Sequence, residues 1–109
     1  MQEKATNILK ENKNADIMAH NLSIYMNAKD IGQTDHLNIK TGQKLFEIRS
    51  TYKEGEPFED GMATKLPPRT EVYLPEEEQE RSILIAVVNG KEKVYFEIFN
   101  SVNDGYMGN

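Results

Sequence analysis

Cysteine is missing from this chain of 109 residues, which excludes disulfides, thiolate nucleophiles and thiolate metal sites. The absence does not fix a compartment, because many extracytoplasmic bacterial proteins lack cysteine too. Tryptophan is missing as well. No apolar run approaches the roughly 20 residues that a membrane-spanning helix needs, and no signal-peptide pattern opens the sequence. Basic residues are outnumbered, 13 Lys and Arg against 18 Asp and Glu, giving a net charge of −5 and a pI near 5.0. Phosphate contacts need a basic footprint, so nucleic acid is not an expected partner. No phosphate-binding glycine loop, dinucleotide fingerprint or zinc motif occurs. What remains is one small domain with a modest core and an acidic surface suited to basic partners.

The most informative stretch runs from Ile83 to Phe99. Two β-rich runs, 83–88 and 91–99, flank Asn89-Gly90. Both central residues of a type I′ turn need positive φ, which Asn and Gly tolerate best, so this is a hairpin. The turn pairs Val88 with Lys91, Ile85 with Val94 and Ile83 with Phe96. It predicts a core face of Ile83, Ile85, Val87, Val94, Phe96 and Ile98. The opposite face, with Leu84, Ala86, Lys91, Lys93, Tyr95 and Glu97, is expected to be partly wet.

Residues 1–14 carry only Ile8 and Leu9 as bulky apolar residues after Met1. They read as a flexible N-terminal tether, frayed or weakly helical and dispensable for folding. A single β-rich domain is expected over 15–109. Asp16–His20 and Leu22–Met26 read as two short strands around Asn21, with a turn or bulge between them. Residues 27–32 read as a loop, and 34–40 is ambiguous between a short helix capped by Thr34 or Asp35 and extended chain. Thr41-Gly42 is a turn signal, and 44–52 reads as a strand. Residues 54–61 form a loop rich in acids and glycine, Pro67-Pro68 bars a helix there, and 70–74 is a strand closed by Pro75. Residues 76–80 are a charged loop, and 100–109 are expected to fray. The predicted fold is mainly β: a small curled antiparallel sheet or barrel of five or six strands with at most two short helices.

Candidate chemistry is sparse. His20 and His36 are the only side chains that titrate near neutrality, and neither sits in a nucleophile motif. They read as structural or solvent-facing. The carboxylates Glu54, Glu56, Glu59 and Asp60, and Glu76, Glu77, Glu78 and Glu80, lack the spacing of a calcium loop. They read as solvated acidic loops. A glycosidase pair would need a cleft that a chain this short rarely builds. Phe58 is an aromatic within the first acidic loop. Two readings stay open for it: a plug folded onto the end of the barrel, or an anchor at a protein interface.

Three pieces carry a resemblance. They are Asn14-Ala15-Asp16 with Tyr25-Met26-Asn27-Ala28, then 42–48 (Gly-Gln-Lys-Leu-Phe-Glu-Ile), then 63–73 (Ala-Thr-Lys-Leu-Pro-Pro-Arg-Thr-Glu-Val-Tyr). Together they resemble a group of small, largely uncharacterised lipoproteins of Bacillus-type bacteria. Arg69 departs from the glycine those proteins tend to carry, and the chain lacks their Trp-Phe near Phe58. The resemblance implies an extracytoplasmic domain on a lipidated N-terminal cysteine, with Met1 standing where that cysteine would be and residues 2–14 as the tether. The membrane is then met only through that anchor. It also implies exclusion or immunity, by blocking a membrane protein of a conjugation or secretion machine.

The expected function is therefore non-enzymatic protein binding, with no cofactor and no metal. The interface candidates are Glu54, Glu56, Phe58, Glu59, Asp60, Glu76, Glu77 and Glu78. The alternatives are a small metal-dependent hydrolase built on the histidines and acid blocks, and a phage-encoded acidic inhibitor that mimics nucleic acid. On the fold, Gly90→Val should destabilise the domain by about 1 kcal/mol or more, because a β-branched residue resists positive φ. An unchanged urea midpoint would refute the turn.

Overall fold

A computed structural model describes residues 2–31, 39–77 and 82–98. The expected cap at Thr34 or Asp35, His36, Glu78, Glu80 and the fraying C-terminus all lie outside the described residues. In chain order the elements are helix α1 (Gln2–Glu11), β1 (Ile17–His20), β2 (Ser23–Asn27), a 3₁₀ turn (Ala28–Ile31), β3 (Thr41–Glu47), β4 (Ser50–Thr51), β5 (Met62–Ala63), β6 (Glu71–Pro75), β7 (Ile83–Val88) and β8 (Lys91–Ile98). The mainly-β class is as expected.

The strands make one sheet, in the order β3-β6-β7-β8-β2-β1-β5-β4. Among the described residues there are eight, more than the five or six expected. The excess is β4 and β5, two residues each, too short to leave a periodic signal. Nor is the sheet purely antiparallel, because β4 pairs with β5 in parallel. The expected strand over 44–52 is broken at Ile48-Arg49, and its two parts lie at opposite edges of the sheet. Two residues cannot span a flat eight-stranded sheet, so the sheet curls into a half-barrel that brings its edges together. Backbone bonds hold the crossing: Ile48 donates to Thr70 O (2.9 Å), Arg69 to Ile48 O (2.7 Å) and Arg49 to Gly61 O (2.7 Å).

The β7–β8 hairpin has the expected register, from Val88↔Lys91 to Ile83↔Phe96. Asn89 and Gly90 have φ of 52° and 77°. The expected core face, however, is reversed. Leu84, Ala86 and Tyr95 are fully buried on the concave side, with Met18, Tyr25, Ile48, Ala63, Leu66 and Val72. On the other side Ile85 is buried, but Ile83, Val87, Val94, Phe96 and Ile98 are only half-buried. Alternation fixes which residues share a face; it does not say which face closes when both are apolar.

A second apolar cluster lies on the outer face. Ile17 and Ala19 of β1 and Ile24 of β2 pack there with Ala5, Ala15, Phe58 and Met62. The segment expected as a tether therefore contributes a docked helix. Ala5 is buried, Ile8 and Leu9 are half-buried, and the Lys4 ammonium donates to Ile98 O at 2.8 Å. The stripe has helical spacing, Ala5, Ile8 and Leu9, but carries only two bulky residues, so the helix depends on docking for its stability. Gly42 likewise serves packing instead of a turn. It lies within β3, and a Cβ there would meet Glu76 Cα at 2.8 Å. Ala5→Asp should lower stability by about 1–3 kcal/mol, the range for an uncompensated buried polar group. A free tether would show no change in the thermal midpoint.

Candidate functional site

Two tight turns in this chain share one geometry. Between β7 and β8 stand Asn89 and Gly90, with φ of 52° and 77°; between β1 and β2 stand Asn21 and Leu22, with φ of 52° and 65°. The first turn has the residue pair that this conformation favours. The second has leucine where glycine belongs. A left-handed conformation costs a non-glycine residue roughly 1–2 kcal/mol. Leu22 is also 76% exposed, the only large hydrophobic side chain so exposed among the described residues.

Asp60 holds this turn. Its Oδ2 accepts from the Asn21 N–H and its Oδ1 from the Leu22 N–H, both at 3.0 Å. Gly61, at φ 86°, donates to Ala19 O at 2.8 Å and accepts from the Arg49 N–H. The acidic loop is thus built to carry Asp60. Glu56 accepts from the Lys53 N–H at 3.1 Å, while its own N–H donates to Lys53 O. Glu59 pairs with the Arg49 guanidinium at 3.1 Å, an exposed contact worth little to stability. Phe58 is buried in the outer cluster, its ring 5.0 Å from that of Tyr52. It lies on the outer face with Ala5 and Ile17, not at an end of the barrel, and its ring is covered there.

The remaining interface candidates lie elsewhere. Glu54 lines a cavity beside α1. Glu76 and Glu77 are exposed after β6, where the Glu76 N–H donates to Lys40 O. Among the described residues, no hydrogen bond or ion pair joins them to the 54–60 loop. His20 stacks flat on Phe46 of β3, with centroids 4.1 Å apart and planes at 10°. Next to it the Ser23 hydroxyl donates to Glu97 Oε2 at 2.8 Å, so it is held by a carboxylate. Among the described residues, no group of three or more His, Cys, Asp or Glu is placed to hold a metal.

A polar network, buried at Tyr95 and Asn27 and open at Asp30, closes the other end of β2. The Tyr95 hydroxyl donates to Asp16 Oδ1 (2.8 Å), Asn27 Nδ2 to Asp16 Oδ2 (2.9 Å), and the Asp16 N–H to Asp30 Oδ2 (2.8 Å). Burial first, and then the Asp16 carboxylate, push the Tyr95 phenol far above its ordinary pKa. On the exposed edge of β3, the Lys44 ammonium meets Glu47 and Glu71, and the Tyr73 hydroxyl donates to Glu71. Those contacts raise Lys44, chiefly through Glu47, and lower Glu71, chiefly through Tyr73. Both arrangements tie neighbouring strands together.

No family model, curated protein or solved structure matches the chain. Leu22 is inconspicuous in the sequence because its apolar character merges it with the run that follows. The available signal was the spacing: an Asn and one further residue between two β-rich runs is the same length of loop as Asn89-Gly90.

The Tyr95 network generates a pH dependence. In the unfolded chain a tyrosine ionises near pH 10, while folded Tyr95 stays protonated. The folded state then binds the proton more tightly, so this contribution is full below about pH 10 and declines above it, by up to about 1.4 kcal/mol per pH unit. Urea titrations from pH 8 to pH 11 should show that loss in the native protein and a shallower one in Tyr95→Phe. Equal slopes would contradict it.

Proposed function

We propose that this chain is a non-enzymatic protein-binding domain whose contact surface is the tip of the β1–β2 hairpin, with Leu22 as its anchor. The observation that supports this most is the contrast between its two turns. The same chain uses glycine at Gly90 and an exposed leucine at the equivalent position 22, where leucine weakens the fold. Backbone strain that folding does not require is characteristic of sites kept for binding. The tip is also prepared in advance: Asp60 fixes both of its N–H groups, so little ordering entropy is lost on docking.

The partner is a protein with an apolar pocket for one leucine and a basic rim facing Glu59. Charges of this kind set the association rate, and the seated apolar side chain sets residence time. Display outside the membrane on a lipid anchor, and exclusion or immunity directed at a membrane protein of a conjugation or secretion machine, are the specific version of this role. That version is supported by the three resembling sequence pieces alone.

Leu22→Gly tests it. Relief of left-handed strain, about 1–2 kcal/mol, is partly offset by about 0.5–1 kcal/mol of added chain entropy. The variant should therefore unfold at the same temperature or slightly above the native protein. In cells displaying the domain, the native protein should lower uptake of a conjugative element and Leu22→Gly should not. Glu59→Lys should weaken the effect more at low salt than at high salt. A Leu22→Gly variant that excludes as well as the native protein would sink the proposal.

A further inference from the structure

A cavity of about 510 Å³ lies between the C-terminal part of α1 and the β4–β5 side of the sheet. That is within the roughly 300–1,000 Å³ of small-molecule sites. Its charged lining is Lys10, Lys13 and Lys65 against the single carboxylate of Glu54. On a chain of net charge −5 this is a local reversal of sign. Among the described residues none of the three ammoniums is in a salt bridge. Lys10 in the last turn of α1 and Lys13 just beyond it also suit the helix C-terminus, but Lys65 is on another segment and has no such role.

The backbone around these lysines is fixed. The Asn12 N–H donates to Ile8 O and the Ala15 N–H to Asn12 O, which sets the turn carrying Lys13. The Thr64 hydroxyl donates to Ala15 O at 2.6 Å, and the Thr64 N–H to Ile17 O at 2.9 Å, which ties the base of Lys65 to that turn. The floor is apolar: Leu9 and the Tyr52 ring, the latter backed by Phe58. A bare inorganic anion would leave that floor uncovered, and a neutral apolar molecule would leave the lysines unused.

We propose that this cavity binds an anionic amphiphile, a phosphate or carboxylate head held by Lys13 and Lys65 on a short apolar body lying over Leu9 and Tyr52. The site is separate from the hairpin tip, and it stands or falls independently of the role proposed for Leu22.

Titration calorimetry on the full chain tests it, with hexyl phosphate, hexanoate, inorganic phosphate and hexanol as probes. Hexyl phosphate should bind at one site, about tenfold or more tighter than inorganic phosphate or hexanol. Hexanoate should bind at the same site. Lys13→Gln/Lys65→Gln, both exposed positions, should weaken hexyl phosphate about tenfold, while Lys44→Gln should have no effect. Vesicles of phosphatidylglycerol and of phosphatidylcholine separate the sources. Lysine-dependent retention on the former alone marks a bilayer headgroup; no retention, with hexyl phosphate still bound, marks a soluble amphiphile. Equal affinity for hexyl phosphate and inorganic phosphate, an unchanged double variant, or tighter lysine-dependent binding of an acidic peptide would overturn the proposal.

Discussion

The two residues Ile48 and Arg49 impose the constraint on which the rest of the structure depends. They join β3 and β4, which stand at opposite edges of the sheet, so the sheet has to curl until its edges meet. Ile48 turns its side chain into the concave core while its backbone bonds both sides of the 69–70 segment. Arg49 bonds Gly61, which in turn bonds Ala19 at the base of the hairpin tip. The closure and the presentation of Leu22 are thus steps of one chain of contacts. Two faces of one curled sheet then need covering. The concave face fills itself, and the outer face takes α1 and Phe58.

Local chemistry was the legible part. Asn89-Gly90 declared its turn and register from two residues, because few other pairs tolerate two positive φ values in succession. The mainly-β class followed from the same kind of signal. Burial was less legible. Alternation sorts the β7–β8 residues into two faces, but the non-local Ile48–Arg49 crossing decides which face the sheet closes on, and it is the one with Leu84, Ala86 and Tyr95. The helix is less legible because a stripe of Ala5, Ile8 and Leu9 is too short to hold a helix by itself, and its docking is non-local. Phe58 reads in sequence as two alternatives, and neither foresees its place in the outer-face cluster beside Tyr52, because that cluster is assembled by non-local packing.

The acidic residues show why composition reads poorly as function. Glu56 and Asp60 look like surface charge in the sequence, and in the structure they accept backbone N–H groups and set the shape of loops. Glu59 keeps an exposed partner in Arg49. Conversely, the residue with the best claim to a contact role, Leu22, looks in sequence like any strand residue. Its claim comes from a conformation and an exposure, neither of which composition encodes. Lysines that are a minority in the chain likewise gain meaning only where the fold gathers them.

The Asp60 carboxylate holds the hairpin tip rigid, with Leu22 outward. Amide hydrogen exchange at Asn21 and Leu22 measures this most directly. Exposed turn amides exchange near the rate of an unfolded chain unless a bond protects them. Both amides should be slowed in the native protein, and Asp60→Ala should release both together while the β7–β8 hairpin stays protected. Exchange of Asn21 and Leu22 at the unfolded rate in the native protein would contradict it.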